Sequence, residues 1–373
     1  MRNLDRFRGC LIGGAAGDAL GYAVEFLGEN QIFSRYGESG ITEYALTNGK
    51  AEISDDTQMT LFTATGLLLG TTRGMMRGIM GSYESYIHYA YTDWLKTQEE
   101  RFPLKKEYHY SWLVNVPELF SRRAPGNTCM SALRREEYGT PERPVNDSKG
   151  CGGVMRVAPI GLYFNDKHIT VQGVAEIGAK AAAITHGHIL GWMPAAALAQ
   201  IIHEVSQDDA EIRDAVQHSL ETAAEMWPET KQRAYFISLI EKAVDLAGKD
   251  MNDLEAIHRL GEGWVAEETL AIAVYCAVKY ADDFDKALIA SVNHKGDSDS
   301  TGAVTGNILG AKLGLSGITE KYLENLELKD LILEIADDLH HDCQMTEYGE
   351  ERDPVWIRKY IEMTYPDGEG EKR

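Results

Sequence analysis

The sequence predicts an all-α protein, and three observations carry that reading. The alternation of apolar and polar residues that marks a half-buried strand is nearly absent. Apolar residues recur instead at the 3.6-residue spacing of amphipathic helices along most of the chain. Two glycine series, Gly9, Gly13, Gly17 and Gly21, then Gly302, Gly306, Gly310 and Gly314, recur every fourth residue, which is one face of a helix.

In chain order, the periodicity predicts helices near 5–21, 57–70, 76–98, 127–135, 172–185, 189–205 and 209–226. It continues with helices near 230–246, 266–280, 284–293, 301–314, 328–341 and 354–363. Pro125-Gly126, the stretch from Pro141 to Pro144 and the stretch from Gly150 to Gly153 supply turn signals between them. The segment 99–125 is aromatic and charged with weak periodicity, and reads as a loop or lid. No interdomain linker or long repeat interrupts the pattern, and the polar tail from Asp367 to Arg373 reads as frayed. A glycine inside a helix costs about 1 kcal/mol relative to alanine. A four-glycine face therefore makes sense where another backbone approaches closely, so the two glycine helices are expected to pack tightly, on each other or on neighbours. The alternative is that these segments are loops.

With 373 residues the chain is long enough for two or three domains or for one large helical one, so length leaves the domain count open. The formal charge of −21 argues against nucleic-acid backbones and acidic membrane surfaces as partners. It does not exclude a phosphate ligand, which backbone amides or a metal hold in an acidic protein. Cys10, Cys129, Cys151, Cys276 and Cys343 form no CxxC pair and read as reduced thiols of a cytoplasmic protein. The N-terminus resembles a signal peptide only loosely, and no apolar run is long enough to span a bilayer.

Three acidic groups stand beside predicted helices. Ser54-Asp55-Asp56-Thr57 precedes an apolar run, Asp297-Ser298-Asp299-Ser300-Thr301 opens the second glycine helix, and Asp18 and Glu25 lie near the end of the first. Each of the first two has a plain alternative as a helix cap, favoured by the helix dipole. Together they make a second reading available. Carboxylates paired with hydroxyls form an oxygen-only set suited to Mg²⁺, Mn²⁺ or Ca²⁺, and a cation would relieve the repulsion between clustered carboxylates. The spacing after Asp297 does not fit an EF-hand, and the cysteine spacing does not fit zinc. The glycine-rich turn from Ser148 to Arg156 exposes amides that suit phosphate or serve as a structural turn. Thr185-His186-Gly187-His188 falls between two apolar helices, where a histidine is either a helix-end hydrogen-bonder or a site residue.

At these residues the sequence resembles the ADP-ribosylglycohydrolase family, which includes the dinitrogenase reductase-activating glycohydrolases. The matching pieces, in the family's order, are RGCLIGGAAGDALGYAVEF (Arg8 to Phe26), SDDTQMT (Ser54 to Thr60), PGNT (Pro125 to Thr128) and KGCGGVMRVAPIG (Lys149 to Gly161). THGH (Thr185 to His188), GEGWVAEETLAIAVYC (Gly261 to Cys276) and GDSDSTGAVTGNILGA (Gly296 to Ala311) complete the set. The resemblance implies a single compact all-helical domain over 1–366, a flexible tail at 367–373, and a cleft with two Mg²⁺ ions, Mn²⁺ being the alternative ion. It places metal ligands on Ser54, Asp55, Asp56, Asp297, Asp299 and Ser300, and catalytic roles on Glu25 and Asp299. It places ADP-ribose contacts on Gly126, Asn127, Gly150, Cys151, Gly152, Gly153, Met155 and His186.

Ser54 and Ser300 stand where threonine is usual and keep the hydroxyl, whereas Cys151 replaces an asparagine of some relatives. The segment 70–125 matches nothing in the family and is expected to shape the rim. The implied reaction is metal-dependent hydrolysis of the bond from ADP-ribose to a side chain, arginine first, with serine-linked or O-acyl-linked ADP-ribose as the alternative. The expected partners are an ADP-ribosylated protein or small molecule and the product ADP-ribose, with no nucleic acid or membrane. Two readings from other classes are a two-metal phosphohydrolase and a non-catalytic, crystallin-like ADP-ribose binder.

Overall fold

The structure, a computed structural model, describes residues 2–105, 107–165 and 169–365, and among them it is helical, with only isolated β-bridges. The tail predicted at 367–373 lies outside the described residues. Helix α1 (Leu4–Tyr22) is followed by α2 (Glu29–Tyr36), α3 (Asp55–Arg77) and α4 (Tyr83–Glu99). After two 3-10 turns, Trp112–Asn115 and Pro117–Phe120, come α5 (Asn127–Leu133), α6 (Ala158–Tyr163), α7 (Val171–Ala183) and α8 (Ile189–Gln207). Helices α9 (Ile212–Met226), α10 (Lys231–Ala247), α11 (Asp253–Leu260) and α12 (Ala266–Lys279) precede α13 (Phe284–Val292), α14 (Ser298–Leu313), α15 (Lys329–His341) and α16 (Pro354–Ile357).

The glycine helices pack directly on each other. A Cβ added at Gly13 would lie 2.3 Å from the Gly306 carbonyl oxygen, and one at Gly306 would lie 1.9 Å from that of Gly13. Gly17 meets Gly302 and Gly9 meets Gly310 in the same way, while Gly21 abuts the Ser298 carbonyl at 2.2 Å. Each step forward along α1 is matched by an equal step back along α14, so the pair is antiparallel and in register. Asn307 seals the seam by donating its amide to the Cys10 carbonyl at 2.8 Å. The register sets the C-terminal end of α1, which carries Asp18 and is followed by Glu25, against the N-terminus of α14.

Around this pair one apolar cluster runs from Phe7 to Tyr360. Helix α8 is buried from Leu190 to Ser206, as expected of a helix apolar on all sides. Among the described residues, 99–125 is mainly loop with two 3-10 turns, and its stretch 110–121 is tied to the core. The fully buried Asp93 accepts the N–H groups of Tyr110 and Ser111, Gln58 donates to the Ser121 carbonyl, and Trp112, Leu113 and Leu119 are core residues.

Two boundaries also differ from the periodicity. Helix α3 runs to Arg77 and ends on Gly78 at φ 63, so the helix expected from residue 76 begins only at Tyr83. Helix α14 starts at Ser298 rather than near 301, with Asp297 as its N-cap accepting from Ser300 N. The short helices α2, α6 and α11 were not expected.

Candidate active-site cleft

The N-terminus of α3 is brought to the end of α1 by Asp18. This buried carboxylate accepts the N–H of Ser54 at 2.9 Å and that of Thr57 at 3.0 Å, and the Thr57 hydroxyl donates to it as well. Orphan amides at a helix start are thereby satisfied by a charge that the helix dipole favours. Ser54 completes the cap, its hydroxyl accepting from Asp56 N at 3.2 Å.

The result is a cleft of about 460 Å³ with Glu25, Asp55, Asp56, Asp297, Asp299 and Ser300 on its walls. Glu25, Asp297 and Asp299 each bring an oxygen within 4.8 Å of the others. Burial pushes the carboxyls of Asp55, Asp56 and Asp299 well up, and the neighbouring carboxylates push them further. Glu25 is raised to about 9, by burial first and then by Asp297, Asp55 and Asp18. Glu25 Oε2 and Asp56 Oδ1 are buried with no hydrogen-bond partner. Unpaired oxygens on crowded, partly protonated carboxyls fit a hard divalent cation such as Mg²⁺ or Mn²⁺, which would neutralise the repulsion.

The opposite wall is the glycine-rich turn. Lys149 accepts from Ala266 N and Cys151 donates to the Trp264 carbonyl, so the turn is laced to the segment before α12. That segment is braced in turn against α14, with Asp297 donating its N–H to Glu262 and Gly296 too close to Glu262 for a side chain. His186 crowds both glycines: a Cβ on Gly150 would press on its imidazole at 3.3 Å, and one on Gly152 would clash with it at 2.9 Å and with the Cys129 sulfur at 2.8 Å. Cys151 turns its thiol toward Asp297 and Ser300, and burial first, then the Asp297 and Asp56 carboxylates, hold the thiol protonated. Met155 and His186 also line the cleft, and Gly126 and Asn127 form its rim at the start of α5.

Two predicted site residues stand off the cleft wall. Ser54 is buried as the α3 cap, and Gly153 packs on the Gly191 carbonyl and Ala182. Among the described residues, the unmatched segment 70–125 reaches the cleft only at Ala124 and Pro125. Ala124 has φ 50, a left-handed conformation costing about 1–2 kcal/mol for a residue with a Cβ. It is held there by its neighbour Arg123, which pairs with Glu327 and Glu52 and donates to the Ile53 carbonyl.

Sequence reasoning missed Phe26 and Trp264. These rings stack at 6.2 Å across the mouth of the cleft, 72% and 40% exposed. The one available signal was the position of Phe26 next to Glu25, and of Trp264 within the GEGW turn.

Fold and cleft together define a class: an all-helical protein whose site combines clustered carboxylates at two helix starts with a glycine-rich loop. The chain belongs to the ADP-ribosylglycohydrolase family, whose model matches residues 1–349. It is 31% identical to an uncharacterized protein of Archaeoglobus fulgidus, over 90% of this chain and 96% of that protein. It is 25% identical to the ADP-ribosyl-[dinitrogen reductase] glycohydrolase of Rhodospirillum rubrum, over 87% and 91% of the two chains. It is 24% identical to the mouse ADP-ribosylhydrolase ARH3, over 92% and 93%. A solved ADP-ribosylglycohydrolase-related protein complex shares the fold at a TM-score of 0.58 and 22% identity, covering 91% of this chain and 98% of that one. Family membership supports ADP-ribosyl hydrolysis as the general activity. No described helix is long and apolar enough to cross a membrane.

Proposed function

We propose that the protein hydrolyses the bond between ADP-ribose and an arginine side chain in a Mg²⁺-dependent reaction, reversing mono-ADP-ribosylation. The observation that carries this reading is the meeting of Glu25, Asp297 and Asp299 within 4.8 Å opposite the glycine turn. Asp55, Asp56, Asp297 and Asp299 would hold two cations, with the Ser300 hydroxyl beside them. Bound, such ions supply Lewis acidity and a water that ionises near neutral pH. The turn from Gly150 to Gly152 would seat the diphosphate, the Cys151 amide itself being held by the Trp264 carbonyl. Asn127 and Gly126 face the open side of the cleft, where a ligand approaches the backbone without obstruction.

In the reaction, the bond from the anomeric carbon to the guanidine nitrogen breaks through a transition state with oxocarbenium character, and water adds to the carbon. The leaving nitrogen needs a proton. Glu25, whose carboxyl is raised by burial and which presents an unpaired Oε2, would give that proton, with Asp299 as the other candidate. Arginine is favoured by the rim, because stacked aromatic rings beside carboxylates suit a planar cation.

The test offers arginine-linked and serine-linked ADP-ribosyl peptides with Mg²⁺ or EDTA, and follows free ADP-ribose by mass spectrometry. Release from the arginine peptide, abolished by EDTA and by Asp299→Asn, is the expected result. Release only from the serine peptide overturns the linkage, and wild-type turnover by Asp299→Asn overturns the site. Inorganic phosphate as the product would place the protein among phosphohydrolases. Binding of ADP-ribose without release from either peptide would make it a binding protein.

A further inference from the structure

Arg156 is fully buried behind the glycine turn, and none of the described ion pairs includes it. Its guanidinium lies 4.3 Å over the Tyr91 ring. One Nη reaches only the sulfur atoms of Met59 and Cys129, each at 3.5 Å, while Nε has no partner. The other Nη donates to the Ala181 carbonyl at 3.1 Å and to the Thr185 hydroxyl at 2.8 Å. Burying a cation without a carboxylate is costly, so a fold that retains one needs a compensating use for it.

That use follows from counting protons. A guanidinium has donors only, so Thr185 Oγ1 must accept from Arg156. A hydroxyl has a single proton and two lone pairs, and the other partners of Oγ1 are His186 Nδ1 at 2.8 Å and the Cys129 thiol. The Arg156 cation polarises the hydroxyl, whose proton goes to the stronger acceptor facing it, the imidazole Nδ1 rather than the Cys129 sulfur, and Nδ1 is then the bare, accepting nitrogen. The ring proton is left on Nε2, the atom that faces the glycine turn, 3.3 Å from where a Cβ of Gly150 would stand and 3.4 Å from one of Gly152. Burial and Arg156 hold the imidazole down to about 3, so it is neutral at working pH. His186 is also fixed sterically, with Gly191 packed on its Cβ and its backbone N–H donated to the Ala182 carbonyl.

We propose that Arg156 and Thr185 are positioning residues that fix His186 as the Nε2–H tautomer, aiming a neutral N–H donor at an anionic ligand group on the glycine turn. The proposal rests on the reading of this turn as the seat of the ADP-ribose diphosphate. It explains how a chain of formal charge −21 holds an anion beside a carboxylate cluster. The donor is neutral and pre-aimed, and the charge that orders it is kept one hydrogen bond away.

The experiment is long-range ¹H–¹⁵N spectroscopy of the histidine-labelled full chain, with the His186 signals assigned from a His186→Gln variant. Wild type is expected to show a protonated Nε2 and a bare Nδ1 between pH 6 and pH 8, as a locked neutral tautomer requires. A protonated Nδ1, or a doubly protonated ring, would overturn the proposal without recourse to any variant. Thr185→Val should lose the tautomer preference and bind ADP-ribose about tenfold more weakly, as expected for a misdirected donor to a charged group. Thr185→Ser should restore both. An unchanged tautomer in Thr185→Val would show that the relay does not set it. If the wild-type spectrum is as expected but ADP-ribose does not bind, the relay stands and the assignment of the ligand fails.

Discussion

The Asp18 carboxylate accepts the Thr57 backbone N–H at 3.0 Å, tying the last turns of α1 to the first turn of α3. The same carboxylate accepts Ser54 N, so one buried side chain anchors the helix start that carries Asp55 and Asp56. Burial raises Asp18 to about 6 in spite of these hydrogen bonds.

Asp18→Asn should therefore destabilise the fold. The amide would turn at least one N–H toward backbone donors and leave them unsatisfied, at a cost of about 2 kcal/mol. Urea unfolding would show a lowered midpoint at unchanged slope. An unchanged midpoint would mean that α3 is anchored by its other contacts.

Gly306→Ala tests the helix seam. Alanine gains about 1 kcal/mol in helix propensity, yet its Cβ would stand 1.9 Å from the Gly13 carbonyl, so the backbones must separate. The expected outcome is a net loss of about 3 kcal/mol or more, near the upper end for overpacking because the clash is with main chain. Gly248→Ala is the control. Its backbone is right-handed helical, its Cβ would meet only the Asp245 carbonyl at 3.6 Å, and thermal unfolding should barely move.

Much of this seam was legible in the sequence, because a four-residue glycine spacing has few uses other than close backbone approach. The carboxylates were legible for a similar reason, each pair standing with a hydroxyl at a helix start. The capping reading holds for Ser54 and Asp297, while Asp55, Asp56 and Asp299 face the cleft, as a cation-binding set would require. Helices α2, α6 and α11 escaped because none exceeds eight residues, too short for a period to emerge, although Asn252 caps α11 and Pro159 lies in the first turn of α6. The isolation of Arg156 and the exposure of Phe26 and Trp264 depend on residues distant in sequence, and no local pattern encodes them.

Removal of divalent cations should make stability depend on pH in a stated direction. Glu25 rises from 4.5 unfolded to about 9 folded. The folded state therefore binds the extra proton between those values, and its contribution is complete below pH 4.5 and lost as pH climbs toward 9. Asp18, raised to about 6, acts in the same direction. In EDTA the cleft's contribution should fall from pH 5 to pH 8.5, and saturating Mg²⁺ should raise the melting temperature more at pH 8.5 than at pH 5. The comparison is made as the shift on adding Mg²⁺ at each pH, which cancels titrations elsewhere in the chain. A shift that is equal at both pH values, or absent, would remove the carboxylate cluster as the cation site.

The rim gives the last prediction. Trp264 is anchored through its carbonyl to the glycine turn, whereas Phe26 sits in the turn that follows α1, so the two rings approach each other from separate parts of the frame. A guanidinium leaving group beside Glu25 would lie against them, and a serine hydroxyl has no charge to exploit the rings. A cation over an aromatic face at a partly exposed position is worth about 1 kcal/mol, or roughly fivefold in binding. Trp264→Ala should accordingly raise KM for an arginine-linked ADP-ribosyl peptide about fivefold with kcat nearly unchanged, and leave KM for a serine-linked peptide within about twofold. Steady-state kinetics on both peptides decides the matter. Equal losses on the two would mean that the ring contacts the shared ADP-ribose, and a loss confined to kcat would mean that Trp264 matters through the backbone it braces rather than through its face.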